Sequence, residues 1–524
     1  MEKHSTRLWL TALLLGWAAD FLFWSSAVGI NYVIFLTLCL VAGTLLLLSA
    51  GFRPARASLW LLLPLAFFLA MTVLRREPLS EFLAYTFTLF PLGILINTYL
   101  EGNWPQYRLW DYLKGAGRVL SALLTMPLEY FARVRDMQKE GGSASFFNAL
   151  KPALRGILIA LPILFFFGSL LSSADLIFAQ KIKNFFDLFD FSSVAEHAVR
   201  FILILVYAYS ISGILYQTSF GSNNQETNTE QKIVPQRLGF TESSIVLGSI
   251  ILLFGFFVAI QFRYFFGGNA NIDMSRYTYS SYARSGFKEL VTVAFFSLVL
   301  ILGFSSLTQR EEGLQKRIYS WLNVSVVGLV VLILISAYQR LMLAIDWHGY
   351  SRLRLYPRVF MIWLGILLIV VVALEIMDRQ RHFVFAAVLT SLGFALTISL
   401  MNVDGAIVHH NVWRALQGKY FNVAHLASLS SDAVPALVDE YLSPNVPEKV
   451  RDGLEGALAC QQAALKRNAL GDWRAFHGSD WLAEQALQKV QGQLSGYTYK
   501  VVNNLARVRS PENVVYYCQD DSRD

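Results

Sequence analysis

The stretch NVDGAIVHHNVWRAL, residues 402–416, concentrates side chains that can bind metals, protons or anions. His409 and His410 are adjacent, and adjacent side chains on a helix point about 100° apart. One metal ion cannot readily bind both, because histidine ligands on one helix are normally four residues apart. Asp404 and Asn411 instead share a helix face. The spacing therefore predicts no metal site and two histidines that face solvent or headgroups, and the acid is either a helix cap or a member of a polar pocket.

Three further polar stretches, at 171–180, 261–291 and 338–357, adjoin long apolar runs. Glu289 lies about one turn inside a predicted membrane span, where a carboxylate is costly unless it is paired or lines a polar cavity. It either coordinates a proton, an ion or a ligand, or it forms a buried ion pair that fixes helix packing. The arginines considered for that ion pair, which is the favoured interpretation, are Arg263, Arg340 and Arg352.

The stretch 338–357 is rich in arginine. Such side chains either bind a phosphate, a carboxylate or a lipid headgroup, or they extend to the headgroup level with no further role. Asp175 follows two serines and is interpreted as a helix cap. The residues proposed for a polar, charged pocket at the outer membrane face are Asp175, Arg263, Tyr282, Glu289, Arg340, Asp346, Arg352, Arg354, Asp404, Asn411 and Arg414.

Sequence motifs of known catalytic sites are absent from the chain. It contains no G-x-S-x-G, no H-E-x-x-H, no paired C-x-x-C, no Walker loop and no G-x-G-x-x-G. We therefore predict no catalytic residue, no metal and no cofactor.

The elements that position these residues are membrane-spanning helices. Hydrophobic residues make up 55% of the 524 residues and charged residues only 15%, and the mean hydropathy is +0.45. An ordinary soluble domain has about 25% charged residues. Apolar runs long enough to cross a membrane recur along the chain, which predicts an all-α integral membrane protein of about eleven spans. The predicted spans are 7–24, 31–49, 58–75, 80–100, 153–171, 199–216, 241–262, 286–306, 318–339, 358–377 and 383–401.

The chain is predicted to fall into six segments. After residue 402 it has soluble character, which predicts a small, mostly helical extramembrane domain with two short strands, SGYTYKVV and NVVYYCQ. The segments are four spans in 1–100, a cytoplasmic loop with an interfacial amphipathic helix in 101–152, two spans in 153–216, a polar linker in 217–240, five spans in 241–401 and the C-terminal domain in 402–524.

Basic residues in alternate loops predict a cytoplasmic N-terminus and an extracytoplasmic C-terminal domain. The loop at 75–80 and the loop predicted at 340–358 are basic exceptions on the outer side. Residues 119–131 are apolar but short, and an interfacial helix on anionic headgroups is favoured over a span. Cys460 and Cys518 form a disulfide if the domain lies outside the cytoplasm, or they remain two unpaired thiols.

The polar stretches resemble those of two uncharacterised bacterial membrane-protein families, the domains of unknown function 4153 and 4173. The resemblance covers most of 1–480, and it implies a multi-span fold but no activity. It includes SLSSDAVPAL (428–437) and DWRAFH (472–477). The single residues that carry it are Ser173, Ala174, Asp175, Tyr264, Phe265, Gly267, Tyr282, Ala283, Arg284, Gly286, Phe287, Glu289, Leu290, Arg340, Tyr350, Arg352, Arg354, Leu355, Asn402, Asp404, Ile407, Asn411 and Arg414.

From the sequence we expect a bacterial plasma-membrane protein with a non-enzymatic role in transport, in sensing or as a subunit of a membrane complex. Its expected partners are the bilayer, anionic headgroups and other membrane proteins, and no nucleic-acid-binding motif is present. One alternative is an enzyme that acts on a lipid-linked or anionic substrate at the outer leaflet. Another is a purely structural subunit, which deep burial and complete mutual pairing of the polar groups would favour.

Overall fold

The computed structural model describes residues 5–125, 191–220, 239–266, 287–307, 313–379, 382–468, 471–502 and 505–519. By its internal contacts the chain divides into two compact units. The first unit consists of Met1–Pro54 and Gly115–Asn224, and the second of Ala55–Lys114 and Gln225–Asp524.

Helices make up most of the described chain. In chain order they are α1 (Ser5–Phe23), α2 (Ile30–Ser49), α3 (Arg56–Leu59), α4 (Leu62–Leu74), α5 (Pro78–Thr98), α6 (Leu109–Leu124), α7 (Phe191–Phe220), α8 (Phe240–Phe266), α9 (Phe287–Leu307), α10 (Leu314–His348), α11 (Arg352–Ile376), α12 (Phe383–Met401), α13 (Val403–Leu416), α14 (Val423–Ala427), α15 (Val434–Leu442), α16 (Glu448–Asn468), α17 (Gly478–Gln488) and α18 (Gln491–Leu494). Short 3₁₀ turns occur at Trp104–Gln106, Ser431–Ala433 and Trp473–Ala475.

The all-α membrane fold that the sequence predicts is confirmed. Within the described residues, nine helices are long and apolar enough to cross a membrane. They correspond to nine of the predicted spans, with α3 and α4 together forming the third. The span predicted at 286–306 corresponds to α9, of which Glu289–Ile301 is a shorter apolar helix. The span predicted at 153–171 lies outside the described residues.

The prediction of a loop at 340–358 is wrong. Helix α10 continues to His348 and α11 begins at Arg352, so the loop is reduced to three residues. Leu341, Ala344 and Ile345 are buried and continue the helical spacing of apolar residues beyond the span predicted at 318–339. Hydropathy alone does not mark this end of the helix, because polar residues occupy its other faces.

Two other predicted boundaries also shift. Helix α7 extends to Phe220, so the linker predicted at 217–240 begins later, and its residues 221–238 lie outside the described residues. Residues 119–124 form the end of α6, and 126–131 lie outside the described residues. The interfacial location of this segment stays a prediction.

In the first unit, α1 packs closely along α7. A Cβ on Gly16 would lie 3.2 Å from the Ala208 Cβ, so the small residue permits the backbones to approach. The turn from α1 to α2 is closed by the buried carboxamide of Asn31, which donates to the Leu22 and Ala27 carbonyl oxygens at 3.0 and 2.9 Å.

The C-terminal domain shares its apolar core with the helices of the second unit. One cluster joins Ile407, Leu437 and Leu458 of this domain to Phe68 of α4 and Ile398 of α12. Its sheet has three antiparallel strands in the order β1 (Thr498–Val502), β2 (Leu505–Arg509) and β3 (Val515–Tyr517). The sequence predicted β1 and β3 but missed β2, because the arginines of LARVR interrupt the apolar pattern typical of a strand.

Candidate functional site

Asp404 lies in the first turn of α13, where the C-terminal domain meets the ends of the membrane helices. Its carboxylate is completely buried, with a side chain that is 0% exposed. Arg352, the first residue of α11, binds both carboxylate oxygens, with its Nε 2.8 Å from Oδ1. The Ser430 backbone N–H and hydroxyl also donate to Oδ2, at 2.8 and 2.6 Å. Four donors therefore saturate this carboxylate, as a buried charge requires.

Asp432 connects the same domain to the loop between α4 and α5. Its Oδ2 accepts hydrogen bonds from the backbone N–H groups of Arg76 and Glu77, both at 2.8 Å. The Arg75 guanidinium lies 3.8 Å from Oδ1. This acid thus replaces water as the acceptor for two N–H groups at a turn between membrane helices.

Glu77 is the N-cap of α5 and is almost completely buried. Its carboxylate accepts from the Leu79 and Ser80 backbone N–H groups at 2.9 and 2.8 Å, from the Ser80 hydroxyl and from the Tyr356 hydroxyl. Burial raises the pKa of Glu77 above its ordinary value, although the hydrogen bonds from Ser80 and Leu79 oppose that change. The acid stabilises the start of a membrane helix and ties it to α11.

Asp480 of α17 makes a further connection to the α4–α5 loop. Arg76 donates to its Oδ2 at 3.1 Å, and the Ser431 hydroxyl donates to its Oδ1 at 2.6 Å. His477 is buried beside this pair, and burial, with the nearby Arg76 charge, lowers its pKa to about 4. This histidine is therefore neutral at pH 7.

The C-terminus of α12 is capped from two sides. Arg75 donates to the Ser399 and Leu400 carbonyl oxygens at 2.8 and 3.3 Å, which stabilises the last turn of the helix. Asn402 has a left-handed backbone with φ of 46°, and its carboxamide accepts from Gly405 N–H and donates to the Asp432 carbonyl oxygen. One residue thus ends α12, begins α13 and binds the C-terminal domain.

A second polar cluster holds the short turn between α10 and α11 against α13. Asn411 exchanges two hydrogen bonds with the Tyr350 backbone, both at 2.9 Å. Arg414 donates to the Asp346 and Trp347 carbonyl oxygens at the end of α10, at 3.2 and 2.8 Å. Gly349 has φ of +81°, and a Cβ there would overlap both the Arg414 guanidinium and the Asn411 carboxamide oxygen. Only glycine fits this position.

We name the first group of contacts the junction network, formed by Arg75, Arg76, Glu77, Arg352, Asp404, Ser430, Ser431, Asp432 and Asp480. Its carboxylates accept hydrogen bonds from their neighbours instead of lining an open cleft. The arrangement is chemically suited to hold a domain in place. It leaves Asp404 and Asp432 no accessible face from which to act on a substrate.

Comparison with known protein families identifies the chain. The model of the family described as "Domain of unknown function (DUF4153)" matches residues 9–440. The chain belongs to the DUF4153 family. No curated protein and no solved structure matches it. The resemblance stated from the sequence is thereby confirmed, and the DUF4153 region contains every carboxylate of the junction network except Asp480.

The pocket residues predicted from the sequence are not all brought together. Asp175 and Tyr282 lie outside the described residues, as does the side chain of Arg263, which belongs to α8. Glu289 is exposed in the first turn of α9. Arg340 donates to the Gln261 carboxamide at 2.9 Å, and Arg352 pairs with Asp404, not with Glu289.

The remaining predicted residues belong to the DUF4153 region around the α10–α11 turn. Arg354 donates to the Gly349 carbonyl oxygen at 3.2 Å, and Asp346 is exposed at the end of α10. Of the predicted set, Arg352 and Asp404 meet in the junction network, and Asn411 and Arg414 meet in the second cluster.

The histidine doublet divides as the helix geometry predicts, but only one histidine is exposed. His409 faces outward and lies 2.7 Å from a Glu440 carboxylate oxygen. His410 is half-buried and stacks on Tyr350 with ring centroids 3.8 Å apart. Burial lowers the pKa of His410, and the Arg414 charge adds to this effect. The expectation that both histidines face solvent or headgroups is therefore wrong for His410.

Sequence analysis missed Glu77, Asp432, Asp480 and Ser430 as site residues. Two signals pointed to them. Arg75 and Arg76 are basic residues in a loop where few are expected, and SLSSDAVPAL carries the family resemblance in the C-terminal domain. Neither signal shows which arginine meets which acid, because the partners are some 350 residues apart in the chain.

Cys460 and Cys518 form a disulfide with Cα atoms 5.4 Å apart. The bond links α16 to the segment directly after β3, and so fastens the sheet to the helices of the C-terminal domain. Cys39, in α2, is a free cysteine.

Proposed function

We propose that this protein has a non-enzymatic role in the bacterial plasma membrane, in which an extracytoplasmic C-terminal domain is held rigidly on the outer ends of the membrane helices. The deep burial and mutual pairing of these polar groups favour the structural alternative for them, so that the domain serves as a fixed part of a membrane complex. The observation that carries the proposal is the saturation of Asp404 by Arg352 and Ser430. A carboxylate whose acceptor positions are filled by protein donors fixes the relative position of the segments that it joins. It is not free to take part in proton transfer or metal binding.

The disulfide supports the extracytoplasmic location. Disulfides form and persist outside the cytoplasm, where thiols are not kept reduced. Cys460 and Cys518 lie within the domain that we propose is outside.

The junction network gives basic residues of the α4–α5 loop and the α10–α11 turn partners in the folded protein. Arg76 is paired with Asp480, and Arg352 with Asp404, while Arg75 binds the end of α12. The positive-inside rule counts Lys and Arg and is little affected by acids, so the α4–α5 loop and the α10–α11 turn remain basic exceptions on the proposed outer side.

The number of crossings agrees with this topology. The α4–α5 loop and the α10–α11 turn lie at the same end of the second unit, so an even number of crossings must separate them. Between them α5, α7, α8 and α10 are candidate spans and α9 contains a shorter apolar helix, so there are five crossings if α9 also crosses. The span predicted at 153–171 gives a sixth, provided that 119–131 remains at the interface. This parity supports eleven spans.

The proposal is tested by replacing the buried ion pair with apolar residues. In the double variant Arg352→Met with Asp404→Leu no unpaired charge remains, so we expect the domain to stay docked and the variant to complement a deletion strain. The single variant Arg352→Met leaves a buried carboxylate without its cation, and we expect it to complement poorly. Exposed Asp346→Asn is the matched control.

The alternative is an enzyme that uses the same residues. In that case the apolar double variant folds normally but fails to complement, because the reacting groups are gone. Topology is checked separately, with an enzymatic reporter fused after residue 519. A cytoplasmic signal from that reporter would contradict the proposed location.

A further inference from the structure

An aromatic ridge on the C-terminal domain projects away from its core. Trp473, Phe476, Trp481 and Leu482 are 57, 40, 48 and 46% exposed. Scattered single exposed apolar residues are ordinary on a protein surface, but four within ten residues are a local concentration of exposed apolar area.

The ridge begins where the domain touches a membrane helix. A Cβ on Gly478, the first residue of α17, would lie 3.2 Å from a Leu74 side-chain carbon and 3.5 Å from the Val73 carbonyl oxygen. Leu74 is the last residue of the span formed by α3 and α4. Trp481 and Leu482 follow Gly478 by three and four residues, so they lie on the same face of α17.

The level of the ridge along the membrane normal follows from this contact. The end of a span marks the boundary between hydrocarbon and headgroups, and Leu74 itself is exposed there. Two residues further on, Arg76 pairs with Asp480 on the polar side of the ridge. The ridge therefore lies where tryptophan is enriched in membrane proteins, with its apolar ring toward the acyl chains and its N–H toward water.

The two arginines beside the ridge are paired within the protein. Arg474 binds Asp472 at 2.8 Å, and Arg76 binds Asp480 at 3.1 Å. These groups give the ridge no net cationic face for anionic lipids, so contact with lipid must be made chiefly by apolar area.

We propose that Trp473, Phe476, Trp481 and Leu482 insert into the interfacial layer of the same bilayer that the helices cross. The ligand is the glycerol and upper acyl region of ordinary phospholipids, whatever their headgroup charge. The ridge anchors the edge of the C-terminal domain to the lipid, in addition to the protein contacts of the junction network. This inference requires that α4 crosses a membrane, and it does not depend on the side of the domain or on its role.

The test uses spin labels on the full chain in phosphatidylcholine nanodiscs. Cys39→Ala removes the free thiol, and Leu482→Cys or Trp481→Cys then provides a single labelling position. The matched control is Val501→Cys, a similarly exposed apolar residue on β1. Collision of each label with oxygen, which concentrates in lipid, is compared with collision with a water-soluble nickel chelate.

We expect the ratio of oxygen to nickel accessibility to be severalfold higher at 481 and 482 than at 501. Replacing part of the phosphatidylcholine by phosphatidylglycerol should leave the ratio unchanged. High nickel accessibility at both ridge positions would show a solvated surface, and low accessibility to both reagents would show a protein contact such as a second copy. Either result overturns the inference. A trypsin digestion pattern identical to that of the unlabelled protein shows that the C-terminal domain is intact in each variant.

Discussion

Two buried ion pairs at the ends of membrane helices have the same chemistry but different surroundings. In the first unit, Arg200 of α7 binds Asp20 of α1, with Nη2 2.7 Å and Nε 3.1 Å from Oδ2. In the second unit, Arg352 of α11 binds Asp404 of α13. Asp20 and Asp404 are both almost inaccessible. The first pair joins two helices that cross the membrane, whereas the second joins a span to the C-terminal domain.

The difference lies in what else each member of the pair contacts. Arg200 is about one third exposed, against one quarter for Arg352, and it also lies over the Trp24 ring, 5.5 Å from its centroid, where the ring stabilises the cation. Asp404 instead receives two additional hydrogen bonds from Ser430. A partly hydrated pair tolerates the loss of one member better than a pair enclosed in a polar network. The comparison therefore predicts a graded series of effects.

The largest effect is expected for Arg352→Met. It leaves the Asp404 carboxylate buried without a cation, which costs about 3–5 kcal/mol in comparable sites. We expect this loss in the free energy that holds the C-terminal domain closed, measured by amide hydrogen exchange of α15 and α16 in nanodiscs. Arg317→Met removes an exposed arginine from α10 and is the control. Equal hydrogen exchange in Arg352→Met and Arg317→Met would mean that the Arg352–Asp404 pair does not hold the domain closed.

A smaller effect is expected for Asp432→Ala. The variant leaves the half-buried Arg76 N–H and the buried Glu77 N–H without an acceptor, at a cost of about 2–3 kcal/mol for the two donors together. Faster trypsin cleavage at Arg75 and Arg76 would report the released loop. Asp439→Ala, an exposed acid in the same domain, should cleave at the wild-type rate. Wild-type cleavage of Asp432→Ala would mean that this acid does not hold the loop.

Acid is expected to weaken the second unit through His477. Its pKa is lowered to about 4 in the folded protein, against about 6.5 when unfolded, so the unfolded state binds more protons between these values. Stability contributed by the neutral histidine is present above pH 6.5 and falls by about 2 kcal/mol from pH 7 to pH 5. The pKa of Glu77 is raised in the folded protein, so its protonation as the pH falls toward 5 adds to the free energy of unfolding and opposes the effect of His477.

The contribution of His477 is isolated by difference. Thermal unfolding of the wild type and of His477→Gln is measured at pH 7 and pH 5, and the glutamine variant should lose less stability on acidification. If the two proteins lose the same amount, the histidine is not the group that titrates.

The smallest effect is expected for Asp20→Asn. Arg200 keeps its contact with water and with the Trp24 ring, and the asparagine can still accept a hydrogen bond from it. We expect the melting temperature to fall by less than in Asp404→Asn under the same conditions. A larger fall for Asp20→Asn would reverse the order on which the comparison rests.

Much of the fold follows from local sequence. Exposing a run of about twenty apolar residues to water is unfavourable, so the spans can be identified from composition alone. The end of α10 cannot be identified in this way. Arg340 and His348 lower its mean hydropathy, although Leu341, Ala344 and Ile345 keep the helix packed. The face of α13 was predictable, since Asp404, Ile407 and Asn411 share it by helical spacing.

The junction network was only half predictable. Arg352 and Asp404 stand out as charges beside apolar runs, but Asp432 and Asp480 lie in a domain of ordinary polar composition. Their role depends on the tertiary position of the C-terminal domain. It is set by a shared apolar core that joins Phe68 and Ile398 to Leu437, and this long-range packing has no local signature in the sequence.

The central claim is that Arg352 and Asp404 act together to hold the domain, and a double-mutant cycle on domain opening tests it most directly. Hydrogen exchange of α15 and α16 is measured for Arg352→Met, for Asp404→Leu and for the two combined. We predict that the double variant loses far less opening free energy than the two single variants lose in sum, because it contains no unpaired buried charge. Losses that simply add would contradict it.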